Sequence, residues 1–506
     1  MIMNGLLRAT ALVSWMLWQS PTAAQDRPPV PAPALITDQD EINALYDLAV
    51  KTVTMNVHRE KRGLMEKPGP ILHAGKSYAD TWTRDASYNT WFAVGLIAPE
   101  IARNSLLCEV MNDDQYGIRI GSQDWYGNGR MRGQYWDAIV WVTGAWSYYC
   151  ATGDEEFLKL AYRISKNSIR YLEDTEYDRE LGLFNGPAGL SDGVAGYPMP
   201  YSDAGGSSFI LDTRARVNGK FVMKALSTNC LYVSAYDALA KMARHFGEND
   251  SGYTRKARAL RKAINEKLWM EDKGRYAYFL DMNDRLDDHM EALGNSFVIL
   301  FDIAQKERVE KVLRNQYRAP YGIPCLWPVF PEFGNEFGRH NGTIWPMAQG
   351  VWAWACAVAR DEDRFASEFA NLTRLAAGSK DFMEIYHPFN GAPYGGWQVG
   401  KLWESEPSQS WSATAYLSMV YHGIFGMRFS EDGLRFDPII PKGITSAKLE
   451  NLKYRNMTLD IELKGEGKTI SGFKLDDKEC QPYVVNSLKG RHTVEILMKG
   501  ENNNGN

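Results

Sequence analysis

The sequence lacks the residue clusters on which metal and thiol redox chemistry depend. Its six cysteines are scattered without a CxxC motif, and its eight histidines include no HExxH pattern. Zinc sites and reactive thiol pairs need such closely spaced ligands. The acidic run from Asp281 to Asp288 lacks the glycine and glutamate of a calcium-binding loop, so we interpret it as a turn. We therefore expect no metal and no other cofactor, and no more than one or two disulfides.

Neither an excess of positive charge nor a long apolar run is present. Lysine and arginine number 57 against 62 acidic residues, which gives a formal net charge of −5. This balance gives no reason to expect a nucleic acid or an anionic membrane as partner. No stretch beyond the N-terminus approaches the roughly 20 apolar residues of a membrane-spanning helix. We expect a monomer without stable membrane insertion.

The first 24 residues have the composition of an export signal. Arg8 supplies a weakly positive start, an apolar run extends from Ala11 to Trp18, and the small residues Ala23 and Ala24 follow. This order predicts cleavage after Ala24 and a periplasmic or secreted mature protein, with a retained N-terminal anchor as the alternative. No cysteine follows the signal, so lipid attachment is not indicated. Residues 25–36 are proline-rich, and we interpret them as a linker.

What the sequence has in abundance is helical apolar periodicity. With 506 residues, of which 44% are hydrophobic, the chain can bury a large core. A first amphipathic helix is predicted over residues 42–58 and a last one over 409–424. Between them the helical patterns come in pairs: 86–96 with 99–110, 135–151 with 154–173, 222–246 with 251–268, 291–301 with 304–317, and 344–359 with 361–377.

The loop lengths predict how these helices are arranged. The partners within a pair are joined by few residues, as at Thr152-Gly153, whereas long loops rich in glycine and tryptophan separate the pairs. Short turns make antiparallel helical hairpins. If the last helix closes against the first, residues 37–427 form an (α/α)6 toroid with every long loop at one end. Residues 428–499 alternate in steps of two and predict a small antiparallel β domain, which residues 500–506 follow as a disordered tail.

Residues 381–421 are the stretch around which a functional site is predicted. Glu384 precedes Tyr386 and Trp397 on a loop that leads to Trp411 at the start of the last helix. A sugar site needs a carboxylate for proton transfer, flat rings for stacking and tight turns, and this segment offers all three. An ordinary loop with a solvated glutamate is the alternative.

The other long loops carry further candidates for substrate binding. Trp82, Arg84 and Asp85 stand before the second helix, where adjacent Arg and Asp side chains can hold two sugar hydroxyls beside an aromatic wall. A helix N-cap is the alternative for Asp85, and a structural histidine is the alternative for His340. The remaining candidates are Asp124, Trp125, Trp136, His340, Asn341 and Trp345.

Splitting a glycosidic bond takes two carboxyl groups that flank the bond. One protonates the leaving oxygen while the other deprotonates water or attacks the sugar carbon. We predict Glu384 and Asp192 as this pair, because Asp192 lies on a glycine-rich loop that can approach a glycosidic oxygen. An Asx turn explains Asp192-Gly193 equally well. The separation of the two carboxyl groups decides between inversion and retention, and it cannot be predicted from the sequence.

Several short motifs resemble those of the six-hairpin glycosidase superfamily. Trp82-Thr-Arg-Asp85 is similar to the sugar-clamping motif of glucoamylases, and the segment from Glu384 to Gly391 resembles the general-base segment of glucoamylases and processing α-glucosidases. Ser191-Asp192-Gly193 is similar to the segment around a catalytic aspartate in debranching-type glucosidases. The runs at 340–346 and 409–413 also resemble this superfamily.

This resemblance implies an inverting, exo-acting enzyme. Glu384 is then the general base that activates water, Asp192 is the general acid, and Arg84 and Asp85 grip the sugar at the non-reducing end. The acid of glucoamylases is a glutamate in a different local sequence, so the assignment of Asp192 departs from that pattern. The rival residues are Asp124, Asp203 and Asp288 for Asp192, and Glu404 and Glu406 for Glu384.

The leading hypothesis is an exported, exo-acting glycoside hydrolase for α-linked glucosides or related sugars. Two other classes stay open: a lyase or epimerase on the same toroid, working by proton abstraction, and a non-catalytic glycan-binding protein. Export argues against epimerisation of metabolites, and the lack of cationic bias argues against a lyase for uronates. Replacing Glu384 with glutamine separates the classes, because only a hydrolase would lose hydrolysis while it keeps sugar binding.

Overall fold

The computed structural model describes residues 29–78, 80–121, 125–126, 130–131, 134–203, 205–212, 216–217, 220–331 and 336–500. The predicted signal and the predicted C-terminal tail lie outside these residues, apart from residue 500, as do the first residues of the predicted linker. None of the helices in these ranges combines the length and the hydrophobicity that crossing a membrane requires.

Twelve main helical elements precede the C-terminal β strands in the described part of the chain. Two of them continue an α-helix as a π-helical segment: α2 through Thr90–Val94 and α12 through Met419–Ile424. The bounds are α1 Asp40–Met55, α2 Thr83–Asn89 with Thr90–Val94 and Gly95–Ile97, α3 Pro99–Leu107, α4 Val140–Thr152, α5 Glu155–Thr175, α6 Leu226–His245, α7 Ser251–Lys267, α8 Ala292–Leu300, α9 Lys306–Asn315, α10 Pro346–Val358, α11 Glu362–Ser379 and α12 Ser410–Ser418 with Met419–Ile424.

The even-numbered helices form a closed inner ring. Each packs against the next from α2 to α12, and α12 packs back against α2. The odd-numbered helices lie outside this ring, and α1 packs against α12, so that the first and last helices form the split sixth hairpin. The predicted (α/α)6 toroid is confirmed.

The composition of each helix explains its place in the ring. Every residue of α10 from Pro346 to Ala357 is buried, whereas α9 buries only Val312 and Leu313. A helix that is apolar on all sides belongs inside, and one with a narrow apolar stripe belongs at the surface. Gly350 allows the close contact of α10 with α12, because a Cβ there would lie 2.6 Å from the Cβ of Ala415.

The C-terminal β unit consists of two sheets. The larger has the strand order β1-β4-β5-β9-β6-β7, and the smaller has the order β2-β3-β8. Their bounds are β1 Ala34–Thr37, β2 Met427–Phe429, β3 Gly433–Phe436, β4 Ser446–Tyr454, β5 Met457–Lys464, β6 Thr469–Leu475, β7 Lys478–Glu479, β8 Tyr483–Val485 and β9 Gly490–Lys499.

Two features of this unit differ from the prediction. β5 and β9 run parallel, so the larger sheet is mixed, although all other pairs in it are antiparallel. β1 lies largely within the segment predicted as a linker and pairs with β4, Ala34 opposite Glu450. Both features depend on pairing between distant segments, which local alternation of side chains does not encode.

Short two-stranded ladders brace the loops between helices. They pair Val57–Glu60 with Gly69–Leu72, Val110–Asp113 with Gly117–Ile120, Trp125–Tyr126 with Arg130–Met131, Tyr177–Asp178 with Leu183–Phe184, Arg216–Val217 with Lys220–Phe221, Lys224–Ala225 with Phe279–Leu280, Trp269–Met270 with Arg275–Tyr276, Met290–Glu291 with Leu326–Trp327, and Trp397–Gln398 with Lys401–Leu402. Isolated bridges join Gly75 to Gln409 and Ile344 to Tyr386, so loops far apart in the chain meet at the starts of the inner helices.

Candidate active site

A cavity of about 180 Å³ lies where the inner helices α2, α10 and α12 begin. Trp82, Trp345 and Gln409 are the residues that directly precede these helices, and all three line the cavity. The full lining is Tyr78, Trp82, Arg84, Asp85, Asp192, Gly193, Ser208, Phe209, Arg339, His340, Trp345, Glu384, Gln398, Trp403, Gln409 and Trp411. Both predicted catalytic carboxyl groups therefore reach one cavity.

Glu384 is held from two sides. Its Oε1 accepts a hydrogen bond from the Tyr78 hydroxyl at 2.9 Å, and its Oε2 accepts one from Arg339 Nη2 at 2.7 Å. Its side chain is only 5% exposed, so the positive charge of Arg339 is what stabilises a buried carboxylate here. Burial beside Glu384 raises the pKa of Tyr78 far above its usual range, which keeps its hydroxyl protonated as a donor. The carboxylate is thus fixed in orientation.

Asp192 lies beside one cation, Arg84, and one imidazole, that of His340. Arg84 Nη2 lies 3.3 Å from its Oδ2, and His340 Nε2 lies 3.5 Å from its Oδ1. Burial works to raise the pKa of Asp192, but the charge of Arg84, with smaller effects of His340 and Arg339, holds it below its ordinary value. Burial also lowers the pKa of His340 to about 3, so this imidazole is neutral at neutral pH. The surroundings of Asp192 therefore favour its carboxylate form.

Gly193 allows this arrangement around Asp192. A Cβ at Gly193 would lie 2.3 Å from Oε1 of Gln398 and 2.6 Å from Nδ1 of His340. Any larger residue would push the loop away from both side chains, and Asp192 would move with it. The glycine in this motif therefore serves close packing of the loop against the cavity wall.

Asp85 is a buried carboxyl group without a hydrogen-bond partner among the described residues. Neither of its oxygens has one, although the group lies in the first turn of α2. Burial raises the pKa of Asp85 to about 7; Arg84 opposes this rise, while Asp192 and Glu384 add to it. Buried polar groups in folded proteins are almost always hydrogen-bonded. Asp85 lines the cavity, where its carboxyl group stands beside those of Asp192 and Glu384.

Arg84 connects the cavity to a second buried acid. Its Nη1 lies 3.3 Å from Oδ2 of Asp137, while its Nη2 is directed to Asp192. Burial raises the pKa of Asp137 to about 7, with Arg84 as the main opposing charge. One guanidinium thus ties the start of α2 to the loop that carries Asp192.

Four tryptophans form the aromatic walls of the cavity. Trp345 and Trp411 meet edge to face at 5.7 Å, and Trp82 packs in the same manner on Tyr78 at 5.0 Å. The guanidinium of Arg339 lies 5.3 Å from the ring centre of Trp345 and 5.8 Å from that of Trp403. Flat rings beside buried carboxyl groups suit a sugar, which has apolar C–H faces and a polar rim.

Four of the residues predicted to bind substrate lie elsewhere. Trp136 is buried and donates from Nε1 to the carbonyl of Ala188, and Asn341 is buried and accepts from the backbone N–H of Phe330. Tyr386 is buried outside the cavity, with its hydroxyl 3.0 Å from that of Ser379. Trp397 donates from Nε1 to Oε2 of Glu336. A residue's position on a loop of the sequence does not decide whether its side chain faces the cavity or the core.

None of the described residues that were alternatives to Asp192 or Glu384 as catalytic groups lines the cavity. Asp288 pairs with Lys273 and Arg275, and Glu404 is exposed. Asp203, Asp288, Glu404 and Glu406 do not line the cavity. Asp124, and the side chain of Trp125, lie outside the described residues, so their predicted roles stay predictions.

Several lining residues were missed by the sequence-based selection: Tyr78, Ser208, Phe209, Arg339, Gln398, Trp403 and Gln409. Arg339 directly precedes the motif at 340–346, and Gln409 is the first residue of the motif at 409–413. A rule that a buried glutamate needs a cation would have singled out Arg339. Tyr78 and Ser208 offered no such signal, since only the folded loops bring them here.

Two family models match the chain. The model "Mannosylglycerate hydrolase MGH1-like glycoside hydrolase domain" matches residues 113–412, and the model "Glycosyl hydrolase family 65, C-terminal domain" matches residues 427–475. The first match contains Asp192, Arg339 and Glu384. The second coincides with the beginning of the C-terminal β unit. These matches confirm the resemblance to six-hairpin glycosidases.

One curated relative is the mannosylglycerate hydrolase of Rubrobacter radiotolerans. It is 24% identical over 224 residues, which are 42% of this chain and 47% of the relative. The chain thus aligns with about half the length of this relative.

Solved structures of low sequence identity share the fold. A sialidase superposes with a TM-score of 0.65 at 16% identity, over 90% of this chain and 40% of its own. A GH78 family rhamnosidase of Bacillus sp. GL1 gives 0.57 at 13% identity, over 94% of this chain and 44% of its own. The GH63 mannosylglycerate hydrolase of Thermus thermophilus in complex with glucose gives 0.55 at 16% identity, over 74% of this chain and 100% of its own.

Proposed function

The chain belongs to the family of mannosylglycerate hydrolase MGH1-like glycoside hydrolase domains, and from that premise we propose that it removes one sugar from the non-reducing end of a small glycoside by hydrolysis. The observation that carries this proposal is the presence of Glu384 and Asp192 on one cavity walled by tryptophans. Two carboxyl groups are what hydrolysis of a glycosidic bond requires.

Glu384 acts as the general base in this mechanism. Its carboxylate removes a proton from a water molecule, and the resulting hydroxide forms a bond to the anomeric carbon while the bond to the leaving oxygen breaks. Tyr78 and Arg339 fix the two oxygens of Glu384 and so direct it towards this water. Attack from the face opposite the leaving group inverts the anomeric configuration.

Asp192 acts as the general acid and gives its proton to the leaving oxygen. Its side chain is 22% exposed. A bound sugar removes water from this side chain and disfavours its charged form, which raises the pKa of Asp192 towards the value an acid needs. After product release, Glu384 returns its proton to solvent and Asp192 takes one up. Because Arg84 opposes protonation of Asp192, activity is expected to fall as pH rises through the pKa of Asp192 in the complex with substrate.

The size of the cavity supports a small substrate. Its volume of about 180 Å³ is below the roughly 300–1,000 Å³ of ordinary ligand pockets, so it suits one sugar ring. Such a small site favours exo-action. The names of the relatives make mannosylglycerate the first substrate to test, with small α-glucosides as the second class.

A panel of substrates tests the proposed function. The purified chain is incubated with mannosylglycerate and with 4-nitrophenyl α- and β-glycosides, and products are followed by proton NMR. We expect release of a free sugar by the wild-type chain and not by Glu384→Gln, which still binds the substrate. An unsaturated product would identify a lyase, and an epimer would identify an epimerase. Binding without any product from the whole panel would indicate a glycan-binding protein.

We also propose that the chain is exported. The order of Arg8, the apolar run and the two alanines at 23 and 24 supports this proposal. Mass spectrometry of the protein from its native host is expected to give a mature chain that begins at Gln25. An intact N-terminus on protein found in the cytoplasm would contradict it.

A further inference from the structure

A second cavity, of about 380 Å³, lies at the end of the toroid opposite the active site. Every inner helix contributes to its lining, and apart from Thr143 of α4 the contributing residues lie beyond the first turn or at the end of the helix. The active-site cavity, in contrast, lies where inner helices begin. One lining residue from each inner helix, in chain order, is Trp91, Trp146, Lys241, Leu300, Trp354 and His422. The volume falls within the usual range of ligand pockets, about 300–1,000 Å³.

Three packed rings form one wall of this cavity, of which Trp354 and His422 are stacked and Trp91 is tilted at 44° to Trp354. Trp354 lies between the other two, with its ring centre 4.8 Å from that of Trp91 and 3.9 Å from that of His422, to which it is nearly parallel at 3°. Trp91 and His422 both stand on the π-helical segments of α2 and α12. Such segments are rare and are found frequently at functional sites, since the extra residue per turn re-aims side chains. Both π-helical segments of the described chain thus serve this wall.

Trp354 and His422 are buried, but two other tryptophans of the lining are exposed in part. Trp91 and Trp146 are only half-buried, whereas Trp136, Trp141 and Trp352 are fully buried. Partly exposed rings on a concave surface offer a stacking face for a ligand.

The charged groups that line this cavity are all positive. Arg428 donates from Nη1 to the carbonyl oxygens of His422 in α12 and of Met427 in β2, but its Nη2 is buried without an acceptor among the described residues. The Lys241 ammonium lies 5.8 Å from the ring centre of Trp146. No carboxyl group of the described residues appears in the lining.

The acid that acts most on Arg428 is already paired. Asp437 forms an ion pair with Arg360, Nη1 to Oδ1 at 2.8 Å. Burial lowers the pKa of Arg428 to about 10, against a smaller opposing effect of Asp437. A buried cation without its own counter-ion is costly, and a carboxylate is the strongest acceptor that can complete it.

We propose that this cavity binds a small organic carboxylate that carries a flat apolar ring. The ring packs against the partly exposed Trp91 and Trp146, and the carboxylate lies between Arg428 and Lys241. Among the described residues the lining has no carboxyl group, so it lacks the acid–base pair that Glu384 and Asp192 form in the active site. It is separate from the active site and independent of the proposed hydrolysis.

A matched pair of probes tests the carboxylate. Isothermal titration calorimetry of the full chain with 2-naphthoate and with 2-naphthamide compares ligands that share a ring and differ in charge. We expect one site for 2-naphthoate, at least tenfold weaker binding of 2-naphthamide, and weaker naphthoate binding at higher salt because screening reduces ionic attraction. Equal binding of the two probes, or no binding of naphthoate, would overturn the proposal.

Variants test the location. Lys241→Ala changes an exposed side chain and should fold, and we expect it to weaken naphthoate binding at least threefold; Arg428→Gln should weaken it at least tenfold. Lys262→Ala, at a lysine on α7 that is 73% exposed, is the matched control and should bind as wild type. Glu384→Gln should also bind naphthoate as wild type. Unchanged binding in Lys241→Ala, or loss of binding in Glu384→Gln, would show that naphthoate sits elsewhere.

Discussion

The two ends of the toroid are built from the same inner helices but differ in their charged residues: the first cavity combines acids with Arg84 and Arg339, whereas the described lining of the second has cations alone. Where the helices begin, the carboxyl groups of Asp85, Asp192 and Glu384 meet in one cavity. Where the helices end, the second cavity is lined by Lys241 and Arg428 and by no carboxyl group of the described residues. Both ends offer tryptophan rings, so aromatic walls alone do not distinguish them.

The direction of the helices explains this difference. A helix has partial positive charge at its N-terminus and partial negative charge at its C-terminus, which favours acids at the first and cations at the second. Asp85 lies in the first turn of α2, and Arg428 caps carbonyl groups at the end of α12. The comparison teaches that acid–base chemistry belongs to the end with buried acids, whereas the other end is suited to binding alone.

The largest expected effect comes from Glu384→Gln. Proton transfer by a general base contributes about 10²–10⁴-fold, so kcat should fall by at least that factor while the sugar still binds. Glu404→Gln is the control, because Glu404 is exposed outside the cavity, and its activity should match wild type. Steady-state kinetics on mannosylglycerate or the best aryl glycoside measure both. Full activity of Glu384→Gln would show that Glu384 is not the general base.

Asp192→Asn should depend on the leaving group. We expect a loss of about 10²–10³-fold with an alkyl glycoside, which needs a proton on the leaving oxygen, and a much smaller loss with a 4-nitrophenyl glycoside, which does not. Asp288→Asn tests the rival acid and should have no effect, since Asp288 is paired with Lys273 away from the cavity. An equal loss with both leaving groups would make Asp192 a binding residue.

Asp85→Asn should stabilise the fold while it impairs sugar binding. The pKa of Asp85 is about 7 in the folded chain and near 4 when unfolded, so the folded state binds the extra proton between these values. The free energy of unfolding of the wild type therefore falls as pH rises from about 4 to 7. The variant does not lose this stability, because asparagine does not titrate. We expect it to be about 1–3 kcal/mol more stable than wild type at pH 8, and less so at pH 5.

Urea unfolding at the two pH values measures this effect. Asp272→Asn is the matched control at an exposed turn, and it should differ from wild type by less than about 0.5 kcal/mol at either pH. A destabilised Asp85→Asn at pH 8 would mean that Asp85 has a partner in the folded chain.

Arg84→Met should shift the pH profile of hydrolysis. Arg84 is the main charge that holds the pKa of Asp192 down against burial, so its removal raises that pKa and keeps the acid protonated to higher pH. We expect the alkaline limb of kcat, which reports the enzyme–substrate complex, to move to higher pH, whatever the loss in absolute rate. If the alkaline limb did not move, Arg84 would not be the residue that controls the pKa of Asp192.

The smallest effect is expected at the other end of the toroid. Lys241→Ala should leave kcat/KM within about twofold of wild type, because the residue lies far along α6 from the acids and lines the second cavity. Activity assays on the substrate used for Glu384→Gln check this. A large loss would mean that the two ends are coupled.

Much of the fold could be predicted from the sequence because the buried face of a helix shows as a regular spacing of apolar residues within one short stretch. The pattern at 154–173 corresponds to α5 at Glu155–Thr175, and the loop lengths led to the ring closure that α1 and α12 complete. The pairing of β1 with β4 and the parallel pair β5 and β9 escaped prediction, because strand partners lie far apart in the chain.

Less of the site could be predicted, for a related reason. Glu384, Asp192, Arg84 and Asp85 all line the cavity, and each stands in a motif whose local composition already suggested it. Trp136 was named on composition too, but it is buried against the Ala188 carbonyl. Whether a loop side chain faces the axis or the core depends on contacts between loops, which a sequence does not state.

The most direct test of the account is proton NMR of the first sugar released from an α-linked substrate, mannosylglycerate or the best aryl α-glycoside. If Glu384 directs water to the face opposite the leaving group, the wild-type chain will release the β-anomer first, the α-anomer will appear only by mutarotation, and Glu384→Gln will release neither. Initial release of the α-anomer, or undiminished release by Glu384→Gln, would contradict the roles given to Glu384 and Asp192.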